Sequence, residues 1–225
     1  MAPSVSQLLS ESDAALLLVF EDRTYTDLSS NGHTVVPDGS TTEIVPEGYV
    51  GKYSVSMDSS ENINNFLVVE EDTALELDDV FTVEAWVKFT SDNAGDYSEY
   101  QDIIASEGYA CKAYESGSFV LRRLPSGMVE VRIYDYSTSC SAVVDTSDDS
   151  VDGQYLDYDT WYHIAWVRSG VDSSDDSTHN NFVYVNGEEW LSFNYNGILN
   201  EGDGYEIGRG SGEDTHFSGL IDEIM

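Results

Sequence analysis

Carboxylates are the residues of this chain with the most chemistry to offer, and the segment DDSVDGQYLDYD arranges them most regularly. Asp148, Ser150, Asp152, Gly153 and Asp159 fall at positions one, three, five, six and twelve of a calcium loop, in which hard oxygen donors surround the ion and a glycine makes the sharp turn. The segment departs from that motif at Ser150 and in closing on Asp159 instead of Glu, and no helical pattern flanks it. The four His and two Cys are not spaced as a zinc set. His163 alternates within the run WYHIAWVR and reads as a packed strand residue, while His33, His179 and His216 sit in polar segments. The sequence contains neither a Gly-x-Ser-x-Gly elbow nor a phosphate-binding glycine loop. Aromatic rings stack on the faces of sugars, and Tyr97, Tyr100, Tyr109, Tyr114 and Trp190 lie near predicted loop ends where they are candidate ligand contacts.

The charge balance narrows the partners. Nine basic against 43 acidic residues leave a formal net charge of −34, and only Lys52, Lys88 and Lys112 are lysines. Binding to phosphate needs clustered Lys and Arg, so nucleic acid and anionic membrane surfaces are excluded as partners and cations are favoured. Adaptation to salty surroundings, where screening weakens repulsion between exposed carboxylates, explains most of the acid. Convergence of a few carboxylates on metal ions is compatible with it. With 40% hydrophobic residues and 15 Tyr, the chain is a folded domain and not an acidic tail. Residues Met1 to Glu21 lack the basic start of a secretory signal, and no apolar run has the length of a membrane span.

The elements that must position these residues are strands. Residues 1–14 form a lead-in segment in which Leu8 and Leu9 are suited to docking on a neighbour, and residues 15–225 form one domain. Ala15 to Glu21 reads as the first strand, followed by a long polar connection with turn signals at Asn31-Gly32 and Asp38-Gly39. Strands then recur at KYSVSM, NNFLVVE, FTVEAWVKF, DIIAS, SFVLRRL, MVEVRIYD, WYHIAWVR, NFVYVN, EWLSFNY, GYEIGR and FSGLIDEIM. Short Gly, Asp, Asn and Ser clusters separate them, which argues for an all-β sandwich or jelly roll. In FTVEAWVKF, alternation puts Phe81, Val83, Ala85, Val87 and Phe89 on one face and Thr82, Glu84, Trp86 and Lys88 on the other. Trp86 is out of place among polar neighbours, so that face too is partly covered. WYHIAWVR is apolar in both registers, as an interior strand is, and Asn186-Gly187 supplies the positive φ angles of a tight hairpin.

Cys111 and Cys140 flank the predicted hairpin SFVLRRLPSGMVEVRIYD. If Leu124 pairs with Gly127, the same register carried outward sets the two cysteines opposite each other. A disulfide there would contribute roughly 3–4 kcal/mol by closing the loop. The alternative is two buried thiols in a reducing compartment.

Taken in order, AALLLVFED, TDLSSNGH, FTVEAWVKF, DTWYHIAWVRSG with FVYVNGE, YEIGRG and HFSGLIDEI resemble the LamG-like jelly-roll domains of the concanavalin A-like lectin and glucanase superfamily. The resemblance runs from about Ala15 to the last residue and implies a two-sheet antiparallel jelly-roll sandwich with the first and last strands side by side. It also implies a calcium ion at that junction, held by Asp222 and the backbone carbonyl of Gly51, with Asp27, Glu21 and Asp22 as further oxygen donors. The glycoside hydrolases of the superfamily carry Glu-x-Asp-x-x-Glu or a close variant on one strand. This chain offers only the adjacent Asp222 and Glu223, which regular alternation sends to opposite faces, so the resemblance implies no enzyme. The expected function is a non-catalytic recognition or adhesion module for a glycan or protein ligand at an extracellular or virion surface. The alternatives are a virion structural component, such as a phage decoration or tail-fibre subunit contacting neighbouring subunits, and a glycoside hydrolase.

Overall fold

The computed structural model describes residues 14–39, 41–57, 65–77, 80–90, 100–106, 118–134, 142–146, 154–170, 180–195, 199, 204–210, 215 and 217–225. Within them the strands are β1 (Val35–Asp38), β2 (Glu43–Val45), β3 (Ser54–Met57), β4 (Phe66–Val69), β5 (Val80–Phe89), β6 (Gln101–Ser106) and β7 (Ser118–Arg123). There follow β8 (Val129–Tyr134), β9 (Ala142–Asp145), β10 (Trp161–Ser169), β11 (Asn181–Val185), β12 (Glu188–Phe193), β13 (Tyr205–Ile207) and β14 (Gly219–Asp222). They form two seven-stranded antiparallel sheets, ordered β1-β4-β13-β6-β7-β8-β9 and β12-β11-β10-β5-β14-β3-β2. This is the jelly-roll sandwich expected from the alternation of short apolar runs.

The interior lies between the sheets. Trp166, fully buried on β10, sits at its centre with Phe81 at 5.1 Å, Phe119 at 5.2 Å and Phe193 at 6.2 Å between ring centroids. Its indole N–H donates to Asn181 Oδ1 at 3.2 Å, so the one polar atom of the ring is satisfied inside the core. The face assignment of β5 holds, since Val83, Ala85, Val87 and Phe89 are buried inward while Glu84, Trp86 and Lys88 are half-buried outward. β10 is interior, flanked by β11 and β5, and the β11–β12 turn places Asn186 at φ 52° and Gly187 at φ 82°.

Three expectations shift. First, Ala15 to Glu21 is buried from Leu16 to Phe20 but makes only bridges, from Leu18 to Ile224 and to Asp27, before a 3₁₀ turn at Phe20–Asp22. The first and last segments are nevertheless adjacent. Second, the polar connection after it contains β1 and β2. They are the edge strands of the two sheets, where one side of the backbone needs no partner and Pro37 is tolerated. Third, the β7–β8 hairpin pairs Arg123 with Val129, and Leu124 N–H donates to Met128 O at 2.7 Å. Gly127, at φ +90°, takes the left-handed position of a three-residue loop. The register is thus displaced by one residue from the Leu124–Gly127 pairing assumed for the cysteines. Cys111 and Cys140 themselves lie outside the described residues.

Candidate functional site

Three adjacent strands of the second sheet set up a row of side chains on its outer face. Register pairs His163 of β10 with Trp86 of β5 and Trp86 with Asp222 of β14; one step away it pairs Trp161 with Lys88 and Lys88 with Leu220. Because directly opposed residues point the same way, Trp161, His163, Trp86, Lys88 and Asp222 share one surface.

The loop between β2 and β3 folds over this row. Tyr49 and Val50 N–H donate to Asp222 Oδ2 at 2.8 and 2.9 Å, and Lys52 and Tyr53 N–H donate to Glu21 Oε1 at 2.6 and 2.9 Å. Gly51, at φ +72°, is required by that geometry, because a Cβ there would strike the Glu21 carboxylate. Held between two carboxylates, the loop lays the Tyr49 ring on Trp86 in a stack with centroids 3.7 Å apart, and Tyr49 also lies 5.9 Å from Trp161. Trp86 is 5.0 Å from His163, whose Nε2 is 3.4 Å from Glu84 Oε2. Lys88 Nζ bonds Glu47 and lies 5.7 Å from the Trp161 ring centroid. Tyr49 remains 42% exposed, so the cluster opens to solvent. The surface pairs flat rings with hydrogen-bonding carboxylates, lysine and imidazole.

Beneath its rim lie two buried carboxyls. Asp222 is opposite Trp86, and Met225 exchanges backbone hydrogen bonds with Glu84, so the chain takes three steps where β5 takes two. Glu223 is the extra residue of this bulge, left-handed at φ 47°. The regular alternation that would send Asp222 and Glu223 to opposite faces is interrupted by this bulge, and Glu223 lies in the field of Asp222. Burial raises Asp222 to about 6, against the opposing effect of the Val50, Tyr49 and Glu223 amides. Burial, and then the charges of Asp222, Glu84 and Glu21, raise Glu223 to about 8. Asp222 Oδ1 and Glu223 Oε1 are buried without a hydrogen-bond partner.

Of the metal donors expected at the junction, the structure brings Glu21, Gly51 and Asp222 to one loop. Asp27 is committed elsewhere: its carboxylate accepts from Leu17 N–H, Ser29 N–H, Ser29 Oγ–H and His33 N–H at 2.8–2.9 Å and organises the loop it occupies. Asp22 is exposed and caps a turn through Thr24. Among the described residues no three His, Cys, Asp or Glu side chains gather as a metal cluster. The orphaned Asp222 Oδ1 nonetheless fits a cation held by one carboxylate and backbone oxygens.

Asp159 sits in an exposed turn at φ 60°, its N–H bonded to Phe89 O; Asp148 and Asp152 lie outside the described residues, as do Tyr97, Tyr109 and Tyr114. Tyr100 is 39% exposed, with the Arg122 guanidinium 4.3 Å from its ring centroid. Trp190 is half-buried against the core. His163 is not a core residue but part of the outer row. The sequence signal for this cluster was Trp86 in a polar register, with Trp161 and His163 sharing one register of WYHIAWVR. Nothing local to Tyr49 marks it, because its position depends on carboxylates at Glu21 and Asp222.

A family model of the concanavalin A-like lectin/glucanases superfamily matches residues 61–225. None of the curated protein sequences matches the chain. Similar solved structures include the binding domain of Paraclostridial Mosquitocidal Protein 1, at 17% identity and TM-score 0.64, covering 93% of this chain and 48% of that one. The botulinum neurotoxin serotype G binding domain is 16% identical at TM-score 0.62, covering 94% and 46%. A botulinum neurotoxin type C structure, whose cell entry depends on interaction with two ganglioside molecules, is 13% identical at TM-score 0.62, covering 98% and 49%. The chain thus spans about half the length of these structures, and the likeness is one of fold. The matched family model covers most of the chain and both sheets, and the chain belongs to the concanavalin A-like lectin/glucanases superfamily.

Proposed function

We propose that this protein is a non-catalytic binding module that recognises a glycan, free or carried on a protein, outside the cell. The observation that carries the reading is the solvent-open cluster of Tyr49, Trp86, Trp161 and His163 rimmed by Glu47, Glu84 and Lys88. Rings offer apolar faces to sugar C–H groups, and the rim offers donors and acceptors to hydroxyls. The related fold of the neurotoxin type C structure, whose entry into cells depends on gangliosides, supports the choice of ligand class. Asp222 and Glu223 are 1% and 6% exposed, which keeps the nearest carboxyl pair from a substrate and supports a binding role over hydrolysis. A calcium ion on Asp222 Oδ1 and backbone oxygens of the 47–53 loop would act as a structural pin, fixing the loop that carries Tyr49.

Glycan-array binding of the wild-type chain, with and without chelator, tests the reading. Tyr49→Ala and Trp161→Ala are each expected to lower affinity for the bound glycan by roughly ten-fold, the loss of one stacking surface. Unchanged binding by both variants would move the site elsewhere, and release of reducing sugar from a β-glucan would overturn the non-catalytic assignment.

A further inference from the structure

The row of rings on the outer face of the second sheet does not end at His163. Asn186 stands beside it on the next strand, its N–H donating to His163 O at 2.8 Å and its Oδ1 accepting from His163 N–H at 2.9 Å. Two residues further along the ladder the line across the sheet reads Glu84, Ala165, Tyr184 and Glu189, and the one after it Thr82, Val167, Phe182 and Ser192. Directly opposed residues point the same way, and Val183 and Val185 of β11 are buried inward. Phe182 and Tyr184 therefore stand on the face that carries Trp86, Trp161 and His163. Both are half-buried, with ring centroids 6.3 Å apart and planes at 30°. Tyr184 is the diagonal neighbour of His163, a separation of roughly 7 Å that aromatic side chains span. Ala165 lies between the two groups of rings. It points out of the sandwich yet is 6% exposed, with larger side chains on every side: His163 and Val167 along β10, Glu84 and Tyr184 across the ladder. Its methyl is the floor of a shallow trough joining Trp86 and His163 to Tyr184 and Phe182. From β5 to β11 the trough crosses two strand spacings, roughly 10 Å, which is more than one pyranose ring covers.

We propose that Tyr184 and Phe182 form a second platform of the glycan site, so that the ligand is an unbranched, neutral oligosaccharide laid across β5, β10 and β11 and not a single terminal sugar. The inference rests on the glycan reading above and extends it. Rings at the two ends of the trough stack on separate sugars of one chain, and Ala165 leaves room for the unit between them. Hydroxyls of that unit meet Glu84 and His163 on one side and Glu189 on the other. Two carboxylates beside the trough, in a chain of formal charge −34, disfavour an acidic sugar at this place.

Calorimetric titration of the full chain with cello-, laminari- and manno-oligosaccharides, disaccharide to hexasaccharide, reads the second platform as a gain in affinity with length. In the series that binds, the hexasaccharide is expected to bind roughly ten-fold more tightly than the disaccharide. Tyr184→Ala and Phe182→Ala are each expected to remove most of that gain, whereas Tyr49→Ala weakens both lengths and leaves their ratio. Hydroxyl-radical footprinting reads the same contact on the wild-type protein: the hexasaccharide is expected to protect Tyr184 and the disaccharide to leave it open. Equal affinity for all lengths, an equal loss for both lengths in Tyr184→Ala, or a Tyr184 that the hexasaccharide leaves unprotected would overturn the second platform while the Tyr49 site stands. A dimer that excludes the hexasaccharide would overturn it too, since the face would then be an interface between copies. If no series binds, or if Tyr49→Ala and Trp161→Ala bind as the wild type does, the glycan reading itself falls and this inference with it.

Discussion

Glu223 concentrates the electrostatic tension of the molecule. Its carboxyl is buried, sits in the field of Asp222, Glu84 and Glu21, and is raised to about 8, with Asp222 beside it at about 6. A raised carboxyl pKa means that the folded state holds a proton the unfolded chain releases near pH 4. Both groups therefore favour folding below their unfolded values, and that contribution is lost as pH rises through about 6 and then about 8. The unfolding midpoint is expected to fall between pH 5 and pH 8.5. Glu223→Gln keeps the shape and cannot ionise, so it should flatten this slope and stabilise the protein at pH 8.5 by about 1–2 kcal/mol. Urea titrations at the two pH values decide it; a variant with the wild-type slope would show that Glu223 is not the responsible group. The sequence displays Asp222 and Glu223 as neighbours, but the bulge that buries Glu223 in the field of Asp222 is a property of the ladder.

The loop between β2 and β3 is the element on which the candidate site depends. Four of its amides are bound by Glu21 and Asp222, which lie far apart in sequence, and Gly51 lets the chain pass the Glu21 carboxylate. Gly51→Ala adds a left-handed strain and a collision at once, and is expected to cost about 1–3 kcal/mol and to lift Tyr49 from Trp86. The loss should appear as a weakened Tyr–Trp signal in the near-ultraviolet circular dichroism spectrum at temperatures where the fold persists. An unaltered spectrum would mean that the stack does not need the loop's observed path. The strands beneath were legible because β5 and β10 are long and strongly patterned. The edge strands β1 and β2 were not, because an edge permits Pro37 and exposed polar residues that a periodicity reading assigns to loops.

Across the whole molecule, the formal charge of −34 acts differently on its two kinds of ion. Exposed carboxylates repel one another through water, so added sodium chloride is expected to raise the melting temperature, most steeply below about 0.15 M, where the Debye length shrinks to about 8 Å. A melting temperature insensitive to salt would show that the acid is already neutralised by bound cations or protons. The fully buried pair of Arg122 and Glu130, at 2.5 Å, with Arg132 3.0 Å from the second Glu130 oxygen, is shielded from that effect. The sequence by itself determined the sandwich, the inward face of β5, the interior place of β10 and the Asn186-Gly187 turn, because each follows from alternation or backbone preference over a few residues. It also carried the family likeness and the strongly negative net charge. Only the tertiary structure decided that Tyr49 lies on Trp86, that Asp27 organises a loop and that Glu223 is buried in the field of Asp222. Those arrangements join residues far apart in the chain, and their geometry is set by strand register and by which carboxylates remain to receive a given amide.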